Sequence, residues 1–135
     1  MAEYSIKKIF NISYSHRLLN YKGKCSNIHG HNAKIEIYIS TKKLNSMQMV
    51  MDFNEISKIA KEWLDKNLDH KLILSKKDPL IKIFQKTDQK LFILDKNPTA
   101  EYLSEFIYKQ LSKLGLKINK VIFWENENSA AIYEK

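Results

Sequence analysis

Cysteine and arginine each occur once in this 135-residue chain, as Cys25 and Arg17. A single cysteine excludes an internal disulfide and fits a reducing compartment. A single arginine among 23 basic residues leaves almost none of the forked donors that read guanines and clamp phosphates. The net charge of +8 is carried by lysines spread along the whole chain, so it reads as a solvated surface and not as a nucleic-acid patch. No apolar run approaches the roughly 20 residues needed to cross a bilayer, and the opening Met1-Ala2-Glu3-Tyr4-Ser5 has no secretory h-region. A cytoplasmic protein with neither membrane nor nucleic acid as partner is expected. Repeats, low-complexity tracts and linkers are missing too. The chain therefore reads as one domain over residues 1–135, long enough to bury roughly two-thirds of the surface its unfolded form exposes.

Histidine is also scarce, with four residues, but three of them crowd into one short window: His16, then His29-Gly30-His31, with Cys25 between. The flanking segments alternate. Phe10, Ile12 and Tyr14 share one face of a strand over residues 5–17, and Ala33, Ile35, Ile37 and Ile39 share one face of a strand over residues 29–40. Period two puts His16 on the first apolar face and His29 and His31 on the second. If the strands pair as a hairpin, all three imidazoles point to the same side of the sheet. Asp52-Phe53-Asn54-Glu55 opens a helix with the buried stripe Ile56, Ile59, Ala60, Trp63 and Leu64, stopping near Asn67. Residues 75–90 resist assignment; Leu80 to Phe84 reads as a helical turn or an insertion, and Leu91 to Leu94 as a short strand. Asn97-Pro98-Thr99 opens a second helix with the stripe Leu103, Phe106, Ile107, Leu111 and Leu114, ending at Gly115. A strand over residues 118–124, a turn over 125–128 and a strand over 129–133 follow. The order is α+β: an antiparallel four-stranded sheet with both helices on one face and two open edges.

Three imidazoles are the ligand count of an open zinc site, with the fourth position left to water or substrate. A closed site with Cys25 as fourth ligand is the competing reading, although structural sites more often use cysteine pairs two residues apart. Cys25 is either a buried, inert thiol or, beside lysine and histidines, a reactive thiolate. In Asp69-His70 a carboxylate stands where it can orient an imidazole that moves protons; such dipeptides also occur by chance in turns. Glu125 shares the face of Val121 and Phe123 by parity. It reads equally as a turn residue reaching water and as a buried anion that grips an N–H-rich heterocycle.

Together these residues resemble the 6-pyruvoyltetrahydropterin synthase superfamily, and within it the bacterial 6-carboxytetrahydropterin synthases of queuosine biosynthesis. The resemblance runs from Phe10 to Tyr133. It rests on Phe10-x-x-x-Tyr14-Ser15-His16-Arg17-Leu18, Cys25-x-x-x-His29-Gly30-His31-Asn32 and Met49-Val50-Met51-Asp52-Phe53, then on Leu68-Asp69-His70, Asn97-Pro98-Thr99-Ala100-Glu101, and Glu125 before Ala131-x-Tyr133. It implies the tunnelling fold, a β-β-α-α-β-β subunit joined to others around a symmetric β-barrel, commonly as a homohexamer with active sites between subunits. It also implies His16, His29 and His31 as zinc ligands, Cys25 as the proton-abstracting base, His70 as a relay residue oriented by Asp69, and Glu125 as anchor of the pterin ring and member of the relay. Thr99 and Glu101 fall in a segment that helps line the pterin pocket.

The implied substrate is 7,8-dihydroneopterin triphosphate, converted to 6-carboxy-5,6,7,8-tetrahydropterin with release of acetaldehyde and triphosphate. Arg17, Lys24 and nearby lysines are candidates to attract the triphosphate. Two positions depart from the pattern: the glycine usual before Met49 is missing, and Ala33 stands where an aromatic often follows His-Gly-His-Asn. The near competitor is 6-pyruvoyltetrahydropterin synthase itself, which eliminates triphosphate from the same substrate; the short Cys25–His29 gap resembles the carboxy-forming enzymes more. A third branch, which cleaves the side chain to a hydroxymethylpterin, carries glutamate where Cys25 stands. From another class, a basic zinc-stabilised binding module would unfold on zinc removal.

Overall fold

The computed structural model describes residues 2–135. Strands β1 (Tyr4–His16) and β2 (His29–Thr41) pair antiparallel along their full length, from Tyr4 opposite Thr41 to His16 opposite His29. Their alternation works as period two demands: Phe10, Ile12, Tyr14 and His16 are buried on the face that also buries Ala33, Ile35, Ile37 and Ile39. Gly30 is needed at the centre of His29-Gly30-His31. A Cβ there would meet the Tyr14 carbonyl oxygen at 3.2 Å, so only a bare α-carbon lets the strands close without displacement.

Helix α1 (Phe53–Asn67) starts where Asp52 accepts the Asn54 N–H at 2.8 Å. It buries Ile56, Ala60 and Leu64 and half-buries Ile59 and Trp63. The chain then forms β3 (Leu72–Ser75), the short helix α2 (Leu80–Phe84) and β4 (Leu91–Leu94). β3 runs parallel to β1 and β4 parallel to β3, giving a six-stranded sheet of order β4-β3-β1-β2-β5-β6. The expected antiparallel four-stranded unit is thus present but extended by two parallel strands into a mixed sheet. β3 escapes a periodicity reading because it is buried on both faces: Ile73 joins the main core while Leu72 and Leu74 pack with Ile81 of α2. Residues 75–90 are the crossover that such a parallel pair requires.

Helix α3 (Ala100–Lys113) is capped by Thr99, whose hydroxyl accepts the Tyr102 N–H at 3.0 Å. Leu103, Ile107 and Leu111 form its buried stripe. Leu114, expected in that stripe, is instead the C-cap and 50% exposed, and Leu116 takes its place in the core after Gly115 turns the chain at φ 100°. β5 (Ile118–Asn126) pairs with β2 and with β6 (Ser129–Glu134). It runs past the expected end at Trp124, because the pairing shifts register between Trp124 and Asn126 and leaves Glu125 at an irregularity. Both long helices pack on the inner face around Phe123, Ile35 and Ile37. Among the described residues no helix is long and apolar enough to cross a membrane.

Candidate metal centre and adjoining cavity

The β1–β2 register delivers the three histidines to one spot. Ring centroids lie 4.6 Å apart for His16 and His29, 5.1 Å for His16 and His31, and 5.0 Å for His29 and His31. Two rings are oriented by backbone carbonyls: His16 Nδ1 donates to the Pro98 oxygen and His29 Nδ1 to the Asn27 oxygen, both at 2.7 Å. A carbonyl can only accept, so these bonds place the proton on Nδ1 and leave Nε2 as a lone pair. Burial pushes His16 down to about 4 and lowers His31 as well, so both rings are neutral near pH 7.

All three Nε2 atoms are buried without a hydrogen-bond partner. Glu125 closes the group. Its Oε1 lies 2.9 Å from His31 Nε2, outside hydrogen-bond geometry, and 3.8 Å from His16 Nε2. One ligand atom from each of these four residues lies within 4.8 Å of the others. Three convergent imidazole nitrogens and a carboxylate, costly if left bare in a buried spot, are the donor set a divalent cation takes. The residues therefore fit the implied metal.

Sequence reasoning missed the groups that aim these ligands, because they are backbone atoms with no side-chain signature. Asn97-Pro98-Thr99 is more than a helix opener. Asn97 grips both the N–H and the carbonyl of Leu19 at 2.9 Å, Pro98 holds His16, and Thr99 caps α3. Asn27, whose carbonyl holds His29, also closes the 3₁₀ turn over Lys24–Ser26 that carries Cys25. Cys25 is half-buried, free and outside the four-residue group, so Glu125 and not the thiol stands beside the rings.

Glu125 and Glu101 line one cavity of about 320 Å³ together with Ala100, Ser129 and Ala131. Thr99 adjoins it as the α3 cap. Asp69 and His70 are placed differently. Asp69 Oδ1 accepts the Ser13 N–H at 2.8 Å and its Oδ2 lies 2.9 Å from His70 Nδ1. The His70 side chain is 80% exposed, stands outside the metal group, and follows from a left-handed backbone with φ 59°. That conformation is held by the His70 N–H bonding to the Ser13 carbonyl at 2.6 Å. Arg17, expected to meet phosphate, is instead engaged by buried Asp78: Nε to Oδ2 at 2.7 Å and Nη2 to Oδ1 at 2.5 Å. It fastens the site loop to the 75–90 crossover, a partner that no local signal in the sequence announces. Lys24 stays exposed.

Comparison with known proteins points to one family. A family profile described as 6-pyruvoyl tetrahydropterin synthase matches residues 5–135. A 6-carboxy-5,6,7,8-tetrahydropterin synthase of Rickettsia typhi is 42% identical over 91 residues, 66% of either chain. One from Aquifex aeolicus is 34% identical over 125 residues, covering 83% of this chain and 76% of the relative. In three dimensions, the 6-pyruvoyl tetrahydropterin synthase of Caenorhabditis elegans superposes with a TM-score of 0.74 at 21% identity, over 100% of this chain and 97% of that one. Matched along nearly its whole length in sequence and in fold, the chain belongs to the 6-pyruvoyl tetrahydropterin synthase family.

Proposed function

We propose that this protein is a zinc-dependent lyase that converts 7,8-dihydroneopterin triphosphate to 6-carboxy-5,6,7,8-tetrahydropterin, releasing acetaldehyde and triphosphate. The observation that carries the reading is the trio of buried, unpartnered imidazole nitrogens beside a pocket that ends in a carboxylate. The names of the bacterial relatives support the carboxy-forming branch. His16, His29 and His31 would hold the zinc, which as a Lewis acid polarises the oxygens of the substrate side chain and acidifies the neighbouring C–H.

The chain's own groups do the rest. Cys25, on a turn tied down by the Leu18 N–H to its carbonyl at 2.8 Å, accepts the side-chain proton as thiolate. Glu125 receives the N–H edge of the pterin through paired charge-assisted bonds, with Thr99 and Glu101 shaping the same pocket. His70, held in one tautomer by Asp69, returns a proton at a second position. Because the His70 ring is exposed and stands outside the cluster of its own chain, it serves a neighbouring subunit's site in this scheme. The unpaired edges of β4 and β6 supply the means of joining copies, and a cytoplasmic homohexamer of one-domain chains is the assembly proposed.

The test is incubation of the zinc-loaded protein with 7,8-dihydroneopterin triphosphate and Mg²⁺, with product masses recorded. A carboxypterin plus acetaldehyde is the expected result. A pyruvoyl-pterin would move the protein to the sister activity, and unchanged substrate would reject both.

A further inference from the structure

Tyr14 is the buried polar group that this scheme leaves unused. Its side chain lies 4% exposed on β1, directly opposite His31 and two residues before His16 on the same face. Its ring stands edge-on to that of His16 at 5.0 Å, 5.6 Å from His31 and 5.7 Å from Phe123. Across the strand pair its diagonal neighbour is only the methyl group of Ala33, where the family pattern often has an aromatic. The small Ala33 leaves room for the large Tyr14 ring, and that ring brings a hydroxyl with it.

That hydroxyl is buried and has no hydrogen-bond partner, Glu125 included. Phenylalanine would fill the same space without leaving a donor unsatisfied, which is costly in a core. Five buried side-chain atoms are orphaned among the described residues. Three are the Nε2 nitrogens of His16, His29 and His31, and a fourth is the hydroxyl of Tyr14, whose ring packs against two of those imidazoles. A phenol is protonated at neutral pH, so this hydroxyl is a donor and not a base. Three unpartnered nitrogens, and one unpartnered donor on a ring packed against two of theirs, describe a cup for a cation that itself carries an oxygen ligand.

We propose that the Tyr14 hydroxyl donates a hydrogen bond to the oxygen ligand that completes the His16-His29-His31 centre: water in the resting protein, a side-chain oxygen of the pterin in turnover. The substrate half of this statement rests on the function proposed above; the ligand half rests only on the cup. The consequence is selectivity. An exogenous ligand bound through oxygen keeps a lone pair for Tyr14, whereas one bound through nitrogen, such as imidazole, keeps none.

The test compares wild type with Tyr14→Phe, both loaded with cobalt in place of zinc and titrated in the visible absorption bands. Acetohydroxamate should bind about three- to tenfold more weakly to the variant, the loss of one neutral hydrogen bond, while imidazole affinity and metal stoichiometry stay unchanged. Equal effects on both probes, no effect on either, or a wild-type centre that takes neither would overturn the proposal. Should Tyr14→Phe not hold metal, 3-fluorotyrosine-labelled wild type keeps the question decidable. The ¹⁹F resonance of Tyr14 should move on adding acetohydroxamate far more than on adding imidazole, and equal movement refutes the bond. With 7,8-dihydroneopterin triphosphate, the variant's KM should rise by the same three- to tenfold. The probe contrast without any turnover by wild type would sink the proposed function and spare Tyr14, and turnover without the contrast would do the reverse.

Discussion

Two imidazoles in the cluster are prepared for a cation by different neighbours. Pro98 and Asn27 donate no side chain to the site, yet their carbonyls set which nitrogen of His16 and His29 bears the proton. Because burial pushes His16 from its ordinary value near 6.5 down to about 4, the unfolded chain binds more protons than the folded one between those limits. The sign follows: metal-free protein should hold its full stability above about pH 6.5 and lose it steadily as pH falls toward 4. Thermal melts of the chelated protein across that interval measure the slope, and His16→Asn should flatten it. Cys25 carries a separate expectation. Since the thiol lies outside the ligand group, Cys25→Ala should keep zinc near wild-type content by mass spectrometry while turnover falls by orders of magnitude. Loss of zinc in that variant would return the thiol to the ligand set.

The segment joining β4 to α3 performs three tasks in three consecutive residues. Asn97 pins the site loop through Leu19, Pro98 aims His16 and Thr99 starts the helix. Asn97→Ala removes two hydrogen bonds and should destabilise the fold by about 1–3 kcal/mol in denaturant titrations. It should also weaken zinc binding in a competition with a chromophoric chelator, because the Pro98 carbonyl moves with the loop. Thr99→Ala should cost about 1 kcal/mol through the lost cap, with a smaller effect on metal. A result in which Asn97→Ala changes stability but leaves zinc affinity untouched would show that His16 is aimed by the strand alone.

For the assembled molecule, the core decides what metal removal does. Phe123, Ile35, Ile37, Leu103 and Ile107 are fully buried in a cluster that owes nothing to the cation. Chelation should therefore abolish turnover yet preserve the far-UV circular dichroism. Unfolding on chelation would instead favour the zinc-stabilised binding module. A second expectation concerns the pairing of subunits. If one chain supplies Cys25 and its neighbour His70, then mixing and reassembling inactive Cys25→Ala and His70→Ala proteins should restore part of the activity. Each mixed interface can then hold one intact site, and sedimentation should report a mass six-fold that of the 15.9 kDa chain. No recovery in such hybrids would confine the whole site to one chain.

The amino-acid order alone made the histidine cluster readable, because period two puts His16 on the apolar face of β1 and His29 and His31 on that of β2, and a pairing that buries both faces collects them on one side. Asp52 and Thr99 announced both long helices in the same local way. Tertiary structure decided what depends on distant or backbone partners. β3 became a strand only between β1 and β4, where a run apolar on both faces is required. Arg17 became a tie to the crossover because Asp78 arrives from 61 residues away. Glu125 met the imidazoles because an irregularity in β5 carries the strand past its local pattern, and His70 was held in a left-handed turn by the Ser13 carbonyl. Local propensity reports which face a residue takes; only packing reports what waits on that face.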